Sequence, residues 1–228
     1  SYSSNLCFGF VFVKLGVFGG RFDPPHLGHL LVALQAIEQL RLDQLWFVPA
    51  ASPPHKPTVA SAEARYAMLL LATAGHTQSY VSRIELERNR LTLDKLEQSP
   101  SPPELDSSKQ NLHDGGLSYS IDTVESICSA YPSSEVFFVG GSDAIASIES
   151  WHRAEDLIRL VRLVAIPRAG YSLTNLNPAI RDNVHVLNTL QCDISSTLIR
   201  TRIQHHQSIH YLVPDLVEDY LVKHAIYS

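Results

Sequence analysis

The chain has 228 residues, 45% of them hydrophobic and 18% charged, with a formal net charge of −5. That length and balance suit one α/β domain with a sizeable buried core, and the acidic surplus excludes an overall basic field for recruiting nucleic acid. Three scattered cysteines, Cys7, Cys128 and Cys192, make no Cys-x-x-Cys pair and no disulfide framework, which points to free thiols in the cytoplasm.

In chain order, residues 11–18 are β-branched and aromatic and predict a first strand. The apolar stretch at 6–13 is cut by Lys14, far short of the roughly 20 residues that span a bilayer, so neither a membrane span nor a targeting segment is expected. Residues 28–40 have helical periodicity, with Leu31, Leu34 and Ile37 on one side. Residues 44–48 predict a second strand stopped by Pro49 and Pro53-Pro54, residues 62–74 a helix, and the alternation at 80–87 a third strand. From 98 to 116 the composition turns to Pro, Ser, Asp, Asn and Gly and reads as a mobile loop. A helix at 120–131, a buried strand at 135–139, a helical stretch at 144–160 broken near Trp151, and strands at 161–166 and 184–187 follow. Closing helices start near Ser196 and Pro214, the proline in a favourable first-turn position.

Strands alternating with helices predict a Rossmann-like, doubly wound, mostly parallel sheet with helices on both faces. It would form a single domain over 1–228, helical from about 196, with ligands at the carboxyl ends of the strands. The dinucleotide fingerprint Gly-x-Gly-x-x-Gly and the Walker sequence are both absent.

After the first strand the chain reads Gly19-Gly20-Arg21-Phe22-Asp23-Pro24-Pro25-His26-Leu27-Gly28-His29. A glycine turn opening a helix suits a phosphate, because the backbone approaches closely, the first N–H groups lack partners and the peptide dipoles favour an anion. His26 and His29, three apart, share one helical face and would add two donors. A zinc site is the competing reading, but no third ligand is suitably placed and no His-Glu-x-x-His occurs. Asp23 reads as shaping the turn, with magnesium positioning as the alternative. Ser195-Ser196-Thr197 reads as a helix cap, and Arg200 one turn on can fork onto phosphate. Asp143 follows a Gly-Gly pair at a strand end, where a helix cap is the plain reading. Trp151 alone reads as a core aromatic, Tyr119 and Ser120 as a helix start, and His55 and Lys56 as local positive charge. His205, His206 and His210 read as solvent-facing, with no suitably spaced acidic partner.

The turn, whose core is His-x-Gly-His, resembles the nucleotide-binding signature of nucleotidyltransferases, and Ile194-Ser195-Ser196-Thr197-Leu198-Ile199-Arg200 supplies a second match. With Ser52-Pro53-Pro54-His55-Lys56, Ser118-Tyr119-Ser120, Gly141-Ser142-Asp143 and Trp151, the chain resembles the nicotinate-nucleotide adenylyltransferase family over nearly its whole length. The resemblance implies a nucleotidyltransferase-type fold that joins ATP to nicotinate mononucleotide, giving deamido-NAD and pyrophosphate in NAD biosynthesis. It implies catalytic roles for His26, His29 and Arg200, and ATP contacts from Gly19, Gly20, Arg21, Phe22, Gly28, Ser195, Ser196, Thr197 and Asp143, the last at a ribose hydroxyl. The mononucleotide falls to Ser118, Tyr119, Ser120, Trp151, His55 and Lys56, with Trp151 stacked on the pyridine ring. No protein metal site is implied; magnesium comes with ATP. Arg21 departs from the family's usual Ser or Thr, and the 98–116 loop is longer than its typical connection. The alternatives are a nicotinamide-mononucleotide or dual-specificity enzyme, another acceptor such as phosphopantetheine, and a non-catalytic nucleotide sensor. The sequence leaves oligomeric state open.

Overall fold

The computed structural model describes residues 13–53, 57–97, 119–167, 172–174, 176–190 and 192–228. The expected mobile loop at 98–116, with His55, Lys56 and Ser118, lies outside the described residues.

Six strands, β1 (Lys14–Gly20), β2 (Gln44–Pro49), β3 (Ser79–Val81), β4 (Glu135–Gly141), β5 (Arg162–Ile166) and β6 (Val184–Val186), form one sheet in the order β3-β2-β1-β4-β5-β6. Every pairing is parallel. The order reverses at β1, which pairs with β2 on one side and β4 on the other. A crevice therefore opens beyond the carboxyl ends of β1 and β4, where doubly wound sheets take their ligands. Gly19-Gly20 ends one of these strands and Gly140-Gly141 the other.

Period-two alternation gives each strand two apolar faces, as a sheet covered on both sides requires. Leu15, Val17, Val136 and Phe138 face one way, against Ile121, Val124 and Ile127 of α4 (Ser120–Ala130) and Leu157 of α6 (Ala154–Leu160). Phe18, Phe47, Phe137 and Val139 face the other way, against Ala33, Ala36 and Leu40 of α1 (Leu27–Leu40) and Leu69 of α2 (Ala62–Ala72). The doubly wound expectation is met.

A third cluster places the closing helices. Met68 and Ala72 of α2 pack with Ile199 of α8 (Ser196–Gln204), with Val217 and Leu221 of α9 (Asp215–Lys223), and with Tyr227. Pro214 sits at the N-cap of α9, one position before its first turn.

Two expectations are corrected. The strand expected at 80–87 ends at Val81, and α3 (Ile84–Glu97) begins three residues later. Ser82 accepts from the Ile84 N–H at 3.3 Å, Glu85 and Glu87 sit in the first turn, and the Glu, Arg, Leu and Lys content favours a helix over an edge strand with one neighbour. In α1 the buried stripe is Ala33, Ala36 and Leu40, while Leu34 is 50% exposed. Two alanines let the helix approach the sheet closely, and Leu34 lies outside the contact. The stretch expected at 144–160 is broken as predicted, into α5 (Ser142–Ile145), a 3-10 turn at Ile148–Ser150, and α6. A short α7 (Pro178–Arg181), capped by Asn177, was not foreseen.

Candidate active site

The turn after β1 is held in an uncommon backbone conformation by its side chains. Phe22 has φ 50°, a left-handed value that a bulky residue rarely adopts. Its ring is 2% exposed and lies edge-on to Phe18 at 5.5 Å and to His29 at 5.0 Å. The side chain of Phe22, a residue expected among the ATP contacts, packs against the His29 imidazole.

His26 is the N-cap of α1, and its backbone N–H donates to His29 Nδ1 at 3.2 Å. Accepting at Nδ1 places the proton of the neutral His29 ring on Nε2, making that nitrogen a donor. The two rings stack with centroids 3.7 Å apart. Gly28 makes room for this, since a Cβ there would lie 3.0 Å from His26 Nδ1 and 3.5 Å from Cys192 Sγ. A Cβ on Gly19, by contrast, would meet nothing within 4 Å, so that strand end faces open space. The helix start is less open than expected, because the Leu27 N–H donates to the Leu212 carbonyl at 3.0 Å and the His29 N–H to the His26 carbonyl at 2.9 Å.

The second motif docks directly onto this turn. Ser195 caps α8 by accepting from the Leu198 N–H at 3.1 Å. Ser196 donates its hydroxyl to the Pro24 carbonyl at 2.8 Å, so its hydroxyl proton serves the fold. Arg200 donates to the Asp23 carbonyl at 2.7 Å and to Thr197 Oγ1 at 3.3 Å. The histidine-bearing turn and the arginine thus belong to one assembly, joined by a contact between Asp23 and Arg200, 177 residues apart.

Asp23 is 2% exposed, and its carboxylate accepts from the Val59 N–H at 2.8 Å, the Ala60 N–H at 3.0 Å and the Tyr227 hydroxyl at 2.7 Å. Burial first, then this hydrogen bond, push the Tyr227 hydroxyl far above its ordinary pKa, so it stays a donor. Asp23 therefore shapes the turn. Both of its oxygens accept from protein donors.

Arg65 and Tyr227 escaped the sequence reading. Arg65, fully buried on α2, donates to the carbonyls of Ala60 at 3.2 Å, Arg21 at 2.8 Å and Ala50 at 2.7 Å. It ties together the segments after β1, after β2 and before α2. Burial lowers its pKa and the nearby Asp23 charge opposes that shift. A lone arginine in the apolar stretch of α2 was the available signal. Arg21 reaches the Pro57 carbonyl at 3.4 Å.

Across the crevice, Asp143 lies in the first turn of α5, just after the end of β4. Tyr119 caps α4, with Ser120 its first residue, and the Tyr119 ring lies 4.5 Å from His152. Trp151 is half-buried and edge-on to Phe138 at 5.9 Å. His210, expected to lack an acidic partner, meets Glu218 at 3.0 Å with Asp215 close by, because the turn before α9 folds back on that helix. Among the described residues, no helix is long and apolar enough to cross a membrane.

A doubly wound sheet carrying paired imidazoles and an arginine at its switch point defines the nucleotidyltransferase class, and the cytidylyltransferase-like family matches residues 17–202. A Thermus thermophilus protein named "Probable nicotinate-nucleotide adenylyltransferase" is 40% identical over 215 residues, covering 94% of this chain and 100% of the relative. A Geobacillus thermodenitrificans protein of the same name is 38% identical over 217 residues, covering 94% of this chain and 86% of the relative. The chain belongs to the nicotinate-nucleotide adenylyltransferase family. In fold it is similar to the Plasmodium falciparum nicotinic acid mononucleotide adenylyltransferase complexed with NaAD, with TM-score 0.67 and 19% identity over 94% of this chain and 97% of that one.

Proposed function

We propose that the protein transfers the adenylyl group of ATP to nicotinate mononucleotide, giving deamido-NAD and pyrophosphate, a step of NAD biosynthesis. What carries the reading is its 33–40% identity to relatives named for this activity, extending over 94% of the chain. The free thiols Cys128 and Cys192 suit a reducing compartment, and we place the protein in the cytoplasm.

In this reaction a phosphate oxygen of the mononucleotide attacks the α-phosphorus of ATP, the bond to the bridging oxygen breaks, and pyrophosphate leaves. Charge builds on the phosphoryl oxygens and on the leaving group, so positioning and charge stabilisation dominate over proton transfer. His29, with its Nε2 donor, and His26 stacked against it would meet the ATP phosphates, with Arg200 and Thr197 adding donors from α8. Gly19 leaves room for the nucleotide to approach β1, and Asp143 is placed at the strand end to accept from a ribose hydroxyl. The helix start at Tyr119 and Ser120 would take the pyridine carboxylate, and Trp151 the pyridine face. ATP enters as its magnesium complex, which fits a turn whose one carboxylate, Asp23, is already satisfied by protein donors.

Adenylyl transfer is reversible, so deamido-NAD and pyrophosphate supplied together should yield ATP and nicotinate mononucleotide. Failure to form ATP would contradict the reading.

A further inference from the structure

A carboxylate as buried as Asp23 is costly unless its oxygens are satisfied, and here the satisfaction comes from far along the chain. Two donors are backbone N–H groups of Val59 and Ala60; the third is the hydroxyl of Tyr227, 204 residues away. Arg200 approaches the same carboxylate at 4.0 Å and holds the Asp23 carbonyl at 2.7 Å. Tyr227 itself has φ 70°, another left-handed value on a bulky residue, and its ring is 7% exposed, packed with Ile199, Val213, Val217 and Leu221. Phe22, immediately before Asp23, has φ 50°. Such conformations persist only where the surroundings over-determine them, and they collect at functional sites. Here the turn aiming His26 is gripped on one side by Phe22 under the His29 ring, and on the other by Asp23 bonded to Tyr227.

We infer that Tyr227 is a positioning residue for adenylyl transfer: its hydroxyl fixes Asp23, and through the turn from Asp23 to His26 it sets the imidazole pair and the Arg200 contact. The inference rests on the proposed reaction for its kinetic consequence, while its structural consequence is independent of that reaction.

The test is Tyr227→Phe, which keeps the ring and removes one donor. In the enzyme, kcat should fall about ten- to a hundred-fold with the KM for nicotinate mononucleotide within about two-fold of wild type, the cost of slightly misplaced groups. In an Asp23→Asn background the same change should add almost nothing, because the two residues act as a unit. In the free protein, the ring-nitrogen NMR signals of His26 and His29 should shift. Should Tyr227→Phe fail to fold, fluorination of the Tyr227 ring keeps its shape and strengthens the donor, and the same imidazole signals should move. Unchanged kcat with unchanged imidazole signals, a loss of melting temperature alone, or independent effects of the two substitutions would overturn the inference. If wild-type protein turns over no mononucleotide, the functional reading fails, and the imidazole signals alone decide: a shift upholds the positioning role, and no shift removes it.

Discussion

His26 and His29 stack at 3.7 Å between ring centroids while the His26 backbone N–H donates to His29 Nδ1 at 3.2 Å. One hydrogen bond thus both closes the first turn of α1 and fixes which His29 nitrogen is the donor. The helix cap and the proposed donor for phosphate are the same side chain, which would tie the stability of the helix start to its chemistry.

His29→Ala should leave ATP affinity within a few-fold and lower turnover at least about a hundred-fold, the effect of removing one transition-state donor worth about 2.7–4 kcal/mol. The lost cap should cost about 1 kcal/mol of stability. Steady-state kinetics, calorimetry with a non-hydrolysable ATP analogue and urea unfolding measure the three effects separately. Near-normal turnover would remove His29 from the mechanism.

Gly28→Ala should separate stability from activity. Alanine favours the helix by about 0.8–1 kcal/mol over glycine, yet its Cβ would press on the His26 ring at 3.0 Å from Nδ1 and 3.1 Å from Cε1. Unfolding free energy should stay within about 1 kcal/mol of wild type while kcat falls about ten-fold or more. Unchanged kcat would mean that the ring can shift without consequence.

Arg65→Met should destabilise by about 3–5 kcal/mol, because four loop carbonyls and the Asp23 charge lose a buried cation. Arg65→Lys should recover part of that, since an ammonium cannot reproduce the planar fork. Urea midpoints for both variants check the order. A loss below about 1 kcal/mol for Arg65→Met would show that the loops hold together without it.

Trp151→Ala should raise the KM for the mononucleotide about ten-fold and that for ATP far less, if the indole stacks on the pyridine ring. Its half-buried edge-on contact with Phe138 at 5.9 Å makes the comparison necessary. Equal effects on both substrates would assign Trp151 to core packing.

The fold was legible where local signals agreed. The stretches at 11–18, described from residue 13, and at 135–139 announced buried strands, and alternation with helices implied the parallel sheet that β1 through β6 form. The His-x-Gly-His turn and the Ser195–Arg200 segment were legible as short motifs with a mechanism. Residues 80–87 misled because a three-residue edge strand followed at once by a helix mimics period-two alternation. Leu34 misled because helical periodicity marks a face by residue type, while alanines set the closest contact with the sheet. Tyr227 left no local signature, and Arg65 left only a lone cation in the apolar stretch of α2. Their meaning arises only when α2 and the 227 position are brought to Asp23, which is a long-range fact. His210 is the same case, since its acidic partner Glu218 comes one helix later.

The proposed function stands or falls on adenylyl transfer to the acid form of the pyridine mononucleotide. Pyrophosphate release from magnesium-ATP, with nicotinate mononucleotide and nicotinamide mononucleotide offered separately and the dinucleotide product weighed by mass spectrometry, tests it most directly. Release should occur with the nicotinate form, with deamido-NAD as product and a preference of about ten- to a hundred-and-fifty-fold over the amide, the worth of a charge-assisted hydrogen bond to the carboxylate. A preference for the amide, or release with neither, would contradict it.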